Sequence, residues 1–563
     1  MINVNWVKKR RENEIPINTV LGGSMVSCRL LCSHILVWAA ISYLTISVTG
    51  QTALREAPPL PITDQTVSRT AECWLQVAFQ HQFSSYRDLS LARGVLPPPE
   101  RQIAETIEDN FFSNTGVLIY DYIPAWVNSK KYGNDEMVFY NGSVFTYSSG
   151  DWDWKQTNKS VGGAGPKEPT VVIDPENDPV HWSKQNQCEP DSTKNIPKPM
   201  LRVWLLSGNR IEAYGAVHFS PELLENALLQ FNKSLGLKMT GNPNGARGFG
   251  ERDNSMAVVS FDEALTQFST ILIPKDFWPI ISKFEQLILV PQLGIAEVPF
   301  ELLRGPDGSR LVETTSVWIA RGIMDVAYSQ HVYYMTSLYR SSNKHFAFDS
   351  PLVVGNPAFK SSRDLYLPQL PGAEEEAKAV SAIMRTNPLL GADATKKTVE
   401  SRARTADVLY FATHGAAEPD DPLSGFLALA GAPDESGRWT AKEIQSLDLS
   451  RTDLAVLSAC QTGLGGVHAA GIIGVGRAFS LAGVRWVVMS LWNVDDRATA
   501  GLMQDFVQRL ASCKALYDCA PAVLLRKAML NEEKLNPDPR TWGSFVVFGV
   551  PSGSSLQSAE HKR

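Results

Sequence analysis

The chain has 563 residues, of which 44% are hydrophobic, 9% aromatic and 20% charged. This composition supplies a packed core and excludes a disordered, collagen-like or coiled-coil chain, and the length predicts roughly two to four domains. With 53 Lys and Arg against 59 Asp and Glu, the formal charge is -6, so no strongly basic domain indicates a nucleic-acid partner.

Residues 1–50 are predicted to be an export signal. A basic cluster, Lys8–Arg11, precedes the apolar run Ile35–Val48, which suits a signal-peptide core and is shorter than the ~20 residues of a membrane-spanning helix. Small residues at 48–50 suit cleavage before Gln51, and Met25 is an alternative start. A retained membrane anchor and a buried N-terminal helix are the alternatives. We therefore expect an exported protein, periplasmic or extracellular, or one tethered to the membrane through this segment.

Residues 51–199 are predicted to form a separate N-terminal region that is irregular, β-rich and loop-rich. Val117–Tyr122 and Met137–Tyr147 have strand patterns, the second with a turn at Asn141-Gly142. Gly150–Lys198 is dense in Asp, Asn, Pro, Gly and Trp and is interpreted as a surface insertion or linker. A regulatory or targeting role for this region is a hypothesis from composition alone.

The pattern changes at Met200. Residues 200–350 begin with a hairpin around Gly208-Asn209 and continue with a helix over Pro221–Leu235 and a strand over Gln286–Val290. Residues 351–552 alternate short apolar strands with amphipathic helices, which predicts an α/β domain with a mainly parallel sheet covered on both faces. Residues 553–563 are predicted to be a disordered tail. The predicted strands are Leu352–Gly355, Val408–Thr413, Leu454–Ala459, Trp486–Leu491 and Ser544–Gly549, and the predicted helices are Ala373–Arg385, Ala394–Thr405, Gly471–Ala482, Asp496–Ala511 and Pro521–Leu535.

Two predicted strands end on residues with nucleophilic chemistry. Val408–Thr413 runs directly into His414, and Leu454–Ala459 runs directly into Cys460. If these strands are parallel neighbours, both side chains emerge at the sheet edge where α/β proteins bind ligands. An imidazole beside a thiol is the minimum for cysteine nucleophilic catalysis. A buried thiol and a loop-capping histidine are the structural alternatives, and the residues alone leave both interpretations open.

The two strand ends lie within the longer motifs LYFATHG, around His414, and LSACQTG, around Cys460. These motifs resemble those of CHAT-domain proteins, the caspase-like peptidase family related to separases and caspases. The resemblance continues through residues 471–483, 490–496 and 542–549, and upstream through 298–303 and 367–376. It covers about residues 200–552 and leaves the first 200 residues unmatched.

The resemblance implies a caspase-haemoglobinase-like three-layer α/β fold and a cysteine endopeptidase with a Cys-His dyad. By motif position, Cys460 is the nucleophile, His414 is the general base and acid, and the backbone N–H groups of Gly415 and Cys460 form the oxyanion hole. It implies no third catalytic residue and no cofactor, and the substrate is a protein or peptide. An activating partner is left open.

The substrate pocket is predicted from acidic positions near the dyad. Relatives that cleave after Lys or Arg commonly have an Asp two residues before the nucleophile, where this chain has Ser458. Asp496, with Asp495 and Trp492 nearby, resembles the separase segment that contributes an acidic residue to a basic-residue pocket, where it would pair with a guanidinium. Asp496 is also the expected N-cap of the helix that follows, and one residue can serve both roles.

The number of cysteines affects the prediction of which thiol stays free of a disulfide. Export would remove two of the seven cysteines and leave five, so at least one thiol lacks an intramolecular partner. Disulfides Cys513–Cys519 and Cys73–Cys188 are predicted for an exported chain, with Cys460 free. The histidines lack metal-ligand spacing, so no metal site is predicted. The alternative to a peptidase is a non-catalytic caspase-like interaction or signalling module.

Overall fold

The structure of the chain is a computed structural model. Its central element is an eleven-stranded β-sheet. All described residues belong to one unit, Arg55–Arg563. The structure describes residues 71–72, 74–75, 77–78, 115–123, 137–140, 143–147, 182–184, 200–207, 210–235, 240–241, 247–248, 259–323, 325–326, 348–359, 367–418, 421–431, 436–459, 466–468, 471–492, 496–513 and 519–551.

The strands and helices follow one another along the chain with short 3-10 turns between them. The strands are β1 (Thr115–Tyr122), β2 (Met137–Tyr140), β3 (Ser143–Tyr147), β4 (Trp182–Lys184), β5 (Met200–Ser207), β6 (Arg210–His218), β7 (Thr240–Gly241), β8 (Arg247–Gly248), β9 (Gln286–Val290), β10 (Ser316–Ile319), β11 (Leu352–Pro357), β12 (Leu389–Gly391), β13 (Val408–Thr413), β14 (Gly415–Ala416), β15 (Phe426–Ala428), β16 (Arg438–Thr440), β17 (Leu454–Ala459), β18 (Gly466–His468), β19 (Gly471–Ile473), β20 (Trp486–Ser490) and β21 (Phe545–Phe548). The helices are α1 (Pro221–Ser234), α2 (Phe261–Leu272), α3 (Trp278–Ile281), α4 (Leu311–Thr314), α5 (Pro371–Met384), α6 (Lys396–Ala403), α7 (Ala441–Gln445), α8 (Val475–Leu481), α9 (Asp496–Ser512), α10 (Pro521–Leu535) and α11 (Pro539–Trp542). The 3-10 turns are Lys275–Phe277, Leu293–Glu297, Phe300–Leu302 and Pro422–Ser424.

The strand order in the large sheet is β12-β11-β13-β17-β20-β21-β10-β9-β1-β5-β6. The neighbouring strands from β12 to β20 are parallel to one another, and so are those from β21 to β1. Strand β21 is antiparallel to β20. The β5–β6 hairpin forms the far edge of the sheet, where β5 is antiparallel to both β1 and β6. The predicted α/β fold with a mainly parallel sheet is therefore confirmed.

Helices cover both faces of the sheet, and β13 shows how. Successive side chains of a strand point to opposite faces. The Tyr410 hydroxyl donates a hydrogen bond to Glu376 of α5 on one face. On the other face, the ring centroid of the next residue, Phe411, lies 5.8 Å from that of Phe479 on α8. The sheet is thus the middle of three layers. Helix α9 packs against both α5 and α10.

The predicted boundary between residues 199 and 200 falls inside this sheet. Strand β1 lies between β9 and β5, and all eight of its residues are buried, as a strand with neighbours on both edges requires. The described helical residues 71, 72, 74, 75, 77 and 78 include two that contact the sheet. The indole nitrogen of Trp204 donates to the Ala71 carbonyl at 3.0 Å, and the Arg202 guanidinium stacks 3.8 Å from the Trp74 ring centroid. Part of the region predicted to be separate therefore belongs to the sheet.

The helix predicted over Gly471–Ala482 is shorter in the structure. Gly471–Ile473 instead pairs with Gly466–His468 as a hairpin, and helix α8 begins only at Val475. Gly474 between them has an extended backbone, with φ of -179°. The β-branched pair at 472–473, flanked by glycines, explains the strand, because β-branched residues favour extended backbone and glycine weakens a helix.

Three predictions concern parts of the chain outside the described residues: the export signal over 1–50, the insertion over Gly150–Lys198 (apart from β4) and the tail over 553–563. Within the described residues, no helix has both the length and the apolar character needed to cross a membrane.

A glutamate is buried in the segment Val298–Leu303. Glu301 is 5% exposed, and its Oε2 has no hydrogen-bond partner within the described residues. Burial raises the pKa of Glu301 from its ordinary 4.5 to about 8, because the low dielectric of the interior disfavours the charged carboxylate. Folded Glu301 therefore keeps its proton in a pH range where the unfolded chain releases it.

Replacing Glu301 with Gln is expected to stabilise the protein increasingly as the pH rises from about 5 to about 8. Over this window each pH unit lowers the free energy of unfolding of the parent chain by up to about 1.4 kcal/mol, and a neutral amide lacks that dependence. Urea unfolding at both pH values measures the difference. Glu375→Gln, at an exposed position, is the matched control. Equal pH slopes for the parent chain and Glu301→Gln would contradict the prediction.

Candidate functional site

The strands that lead to His414 and Cys460 are adjacent, parallel and in register. Every residue of β13 pairs with one of β17, from Val408 with Leu454 to Thr413 with Ala459. His414 is the next residue on one strand, and Cys460 is the next residue on the other. Cys460 itself lies outside the described residues. The two strands are therefore parallel neighbours, as predicted, and their pairing extends to Thr413 and Ala459, the last residues before His414 and Cys460.

Buried hydroxyl groups hold both strand ends. The Thr413 hydroxyl donates to the Ala428 carbonyl at 2.6 Å, and the Ser490 hydroxyl on β20 donates to the Ala459 carbonyl at 2.7 Å. Thr413 and Ser490 are 2% and 3% exposed. Hydrogen bonds shielded from water hold backbone geometry more firmly than exposed ones, so these contacts stabilise the backbone immediately before both candidate residues.

His414 is buried and its ring is oriented by a backbone carbonyl. The side chain is 6% exposed, and Nε2 lies 2.8 Å from the Pro368 carbonyl oxygen. A carbonyl only accepts hydrogen bonds, so Nε2 carries the proton and Nδ1 is the unprotonated nitrogen of the neutral ring. Burial lowers the pKa of His414 below its ordinary 6.5, and the bond to the Pro368 carbonyl partly offsets this. The imidazole is therefore neutral at neutral pH and able to accept a proton.

A small apolar cluster, separate from the main core, lies beside this histidine. Its buried members are Leu367, Phe426 and Ala428, with Phe359 and Ala416 packed against them. The Phe359 ring lies 4.9 Å from the imidazole, centroid to centroid. This cluster excludes water from the imidazole, which is the physical origin of the lowered pKa.

The orientation of the Gly415 backbone amide follows from the hydrogen bond of the preceding carbonyl. The carbonyl of His414 accepts a hydrogen bond from the Ala428 N–H at 2.9 Å, so it points toward β15. No described peptide bond is cis, and a trans peptide directs its N–H opposite to its C=O. The N–H of Gly415 therefore points away from β15.

Ser458 is half-buried beside a buried hydrogen bond that joins two other residues. The Tyr410 hydroxyl donates to Oε1 of Glu376 at 2.5 Å, and Ser458 slightly opposes the rise in the pKa of Tyr410. Burial is the main reason that the pKa of Tyr410 lies well above its usual value, with a further contribution from Glu376. Tyr410 thus joins the sheet to α5, and Ser458 lies on the neighbouring strand, where it pairs with Ala412.

The other pocket candidates differ in what the structure describes. Trp492 is 2% exposed, its indole nitrogen donates to the Arg540 carbonyl at 3.0 Å, and its ring packs edge-on against Phe231 at 5.6 Å. Its ring has no surface left to contact a substrate, contrary to the prediction. Asp496 is the first residue of α9, the start predicted for this helix, and not the residue before it that an N-cap occupies. The side chain of Asp496 lies outside the described part of the chain, as does all of Asp495.

Of the predicted disulfides, one lies within the described residues. Cys513 and Cys519 are bonded, with Cα atoms 5.5 Å apart, and Cys519 is 1% exposed. Cys73 and Cys188 lie outside the described residues, so their pairing stays a prediction, as does the free thiol of Cys460. No cluster of three or more potential metal ligands occurs in the described part of the chain.

The sequence patterns did not predict two contacts of His414, those with the Pro368 carbonyl and the Phe359 ring. The motif at 367–376 supported the resemblance but carried no role, because a backbone carbonyl leaves no side-chain signature in the sequence. The only available signal was the presence of this Pro-rich motif upstream of the histidine.

Comparisons with known proteins agree with the motifs. A family profile described as the CHAT domain matches residues 263–550. Tetratricopeptide repeat protein 28 of Homo sapiens is 28% identical over 310 residues, 48% of this chain, and that of Mus musculus is 27% identical over the same length and share. The chain spans only 12% of the length of these curated relatives.

Two solved structures match parts of the chain at low sequence identity and with low TM-scores. The Arg-specific cysteine proteinase gingipain R is 10% identical with a TM-score of 0.34, covering 58% of this chain and 76% of that one. A chain of the Saccharomyces cerevisiae separase–securin complex is 11% identical with a TM-score of 0.42, and the match covers 80% of this chain and 31% of that one. Because the family profile covers more than half of the sequence, the chain belongs to the CHAT-domain family, and the resemblance seen in its motifs is confirmed.

Proposed function

We propose that the chain is a cysteine endopeptidase in which Cys460 attacks the carbonyl carbon of a peptide bond and His414 transfers the protons. The observation that carries the proposal is the in-register pairing of Thr413 with Ala459, since His414 and Cys460 follow these two residues directly. Two further observations support it, the protonated Nε2 of His414 held by the Pro368 carbonyl and the lowered pKa of the ring.

In the first half of the proposed reaction, Nδ1 of neutral His414 accepts the Cys460 thiol proton as sulfur bonds to the substrate carbonyl carbon. The carbonyl oxygen becomes an oxyanion, for which the N–H groups of Gly415 and Cys460 are the proposed donors. The imidazolium then gives its proton to the amide nitrogen as the C–N bond breaks. The products are a free amine and a thioester on Cys460.

In the second half, water takes the place of the thiol. Nδ1 of His414 accepts a proton from water, whose oxygen bonds to the thioester carbon. The C–S bond then breaks, the proton returns to sulfur, and a carboxylic acid leaves. No redox change occurs, and water is the only co-reactant. We further propose that Asp496 favours substrates with Lys or Arg before the cleaved bond, because a carboxylate binds a guanidinium through paired hydrogen bonds.

The test is cleavage of a mixed peptide library by the full chain under reducing conditions. We expect the parent chain to cleave and Cys460→Ala to be inactive. The variant Cys513→Ser/Cys519→Ser is the matched control, since it removes two other sulfurs and leaves Cys460, and it should still cleave. Cleavage by Cys460→Ala would contradict the proposal. A folded parent chain that cleaves nothing would favour the non-catalytic interaction module.

A further inference from the structure

We infer that Asn356 is a positioning residue for the dyad, acting through the Pro368 carbonyl that orients His414. This inference rests on the proposed function. It assigns a role in the reaction to a side chain that lies outside the two catalytic motifs.

Asn356 stands at the edge of the sheet where the dyad lies. Gly355 of β11 pairs with Ala412 of β13, so Asn356 is the first residue beyond the paired stretch on the strand next to His414. The register of β11 against β12 shifts between Gly355 and Pro357, so Asn356 is the extra residue of a bulge. A bulge re-aims a side chain away from the direction it would take in a regular strand.

The backbone and burial of Asn356 indicate a specific role. Its φ is +40°, in the left-handed region that few residues other than Gly, Asn and Asp adopt, and it is 7% exposed. A buried amide in an unusual backbone conformation is kept only where its hydrogen bonds are made. Both polar ends of this amide have partners.

The Asn356 amide joins strand β11 to the start of helix α5. Its Oδ1 accepts a hydrogen bond from the Leu370 N–H at 2.8 Å, and its Nδ2 donates to Oε2 of Glu374 at 3.1 Å. The partners fix the orientation of the amide, because a backbone N–H only donates and the charged Glu374 carboxylate only accepts. Glu374 is in turn held by Lys378 at 2.6 Å, and its pKa is lowered by that bond and by Asn356.

Leu370 is the residue through which this anchor reaches His414. It precedes helix α5 without a side-chain cap of its own, and it lies two residues after Pro368. Residues 367–370 have neither helix nor strand structure, so no regular ladder of backbone bonds sets their position. The bond from Leu370 to Asn356 fixes one end of this short segment and thereby the Pro368 carbonyl, 2.8 Å from Nε2 of His414.

Loss of this anchor would change which nitrogen of the His414 ring carries the proton. If the Pro368 carbonyl moves, Nε2 loses the acceptor that keeps its proton, and the neutral ring distributes between its two tautomers. The Nδ1-protonated tautomer cannot accept the proton of Cys460. A residue that merely stabilised helix α5 would lower stability without changing the tautomer.

The test uses the full chain with 15N-labelled histidine. Nitrogen shifts separate protonated from unprotonated ring nitrogens, and the His414 signals are assigned by their loss in His414→Gln. We expect the parent chain to show one tautomer, protonated at Nε2. Asn356→Gly removes the side chain at a backbone conformation that Gly tolerates, and it should show a tautomer mixture and a fall of kcat/KM of about 10²-fold, mostly in kcat.

Two further variants separate positioning from stability. Asn356→Asp keeps the acceptor for the Leu370 N–H but places a second carboxylate next to that of Glu374. In Asn356→Asp/Glu374→Gln, the new Gln amide donates a hydrogen bond to the new Asp carboxylate. Both hydrogen bonds are then present again, and the single tautomer should be recovered. Asp407→Ala is the matched control. Its carboxylate accepts from the N–H groups of Asp349 and Ser350 at the opposite end of β13. It should lower Tm without changing the tautomer.

The outcomes separate this inference from the proposed function. A single Nε2-protonated tautomer in folded Asn356→Gly, or an equal tautomer change in Asp407→Ala, would overturn the positioning role even if the enzyme cleaves peptides. The expected tautomer change in a chain that cleaves nothing would uphold the positioning of His414 while the proposed peptidase activity fails.

Discussion

Replacing His414 with Gln is expected to lower kcat/KM for peptide cleavage by roughly 10²- to 10⁴-fold, the usual contribution of a general base. The buried imidazole has a pKa below 6.5, so the parent chain should hold its reactivity as the pH falls to about 6.5 and lose it only as the ring becomes protonated. Without the base, Cys460 should react as an ordinary thiol with a pKa of about 8.5.

The measurement is the rate of Cys460 alkylation and of cleavage as a function of pH. For His414→Gln the alkylation rate should fall about tenfold for each pH unit below about 8.5, while the parent chain keeps a neutral plateau. His218→Gln is the control, because His218 ends β6 at the far edge of the sheet. The same pH profile in the parent chain and His414→Gln would rule out a base role for the imidazole.

Gly355→Ala is expected to destabilise the protein by about 3 kcal/mol, the upper end of the usual cost of overpacking. A Cβ at this position would lie 2.3 Å from the Cβ of Ala377 and 3.1 Å from the Ala373 carbonyl, both on helix α5. Neither atom can rotate away, so the helix must move from the sheet. Because α5 carries Glu374 and begins after Leu370, we also expect a loss of cleavage activity.

The source of this effect can be tested by removing the opposing methyl group. In Gly355→Ala/Ala377→Gly the closest contact is gone, so a double-mutant cycle should show a favourable coupling of about 1–3 kcal/mol. Gly322→Ala is the control, since no atom lies within 4 Å of its added Cβ. It should change the free energy of unfolding by less than about 0.5 kcal/mol. Equal effects of Gly322→Ala and Gly355→Ala in urea unfolding would contradict the packing argument.

The parts of the fold that sequence patterns predicted well are those buried on both faces. The bounds of β9, β13 and β17 agree with the predictions residue for residue, because each is a short, largely apolar run that directly follows an acidic residue. The bounds of α10 also agree, where Pro521 marks the first turn. The order of these strands in the sheet then brought the two motif-bearing ends together.

The parts that patterns did not predict depend on contacts distant in the sequence. That β1 belongs to the large sheet follows from pairing with β5 and β9, which its own residues do not specify. The burial of Trp492 depends on Phe231, and the orientation of His414 depends on the Pro368 carbonyl. None of these contacts leaves a local periodicity that a sequence pattern can detect.

The most direct test of the Cys-His mechanism is the intact mass of the full chain after reaction with an arginyl peptidyl fluoromethyl ketone under reducing conditions. We predict one adduct, mapped to Cys460, in the parent chain and at least a hundredfold slower adduct formation in His414→Gln, in line with the general-base contribution. A leucyl analogue tests the proposed basic preference in parallel. An adduct that forms as fast without His414, or no adduct on Cys460 with either reagent, would contradict the mechanism.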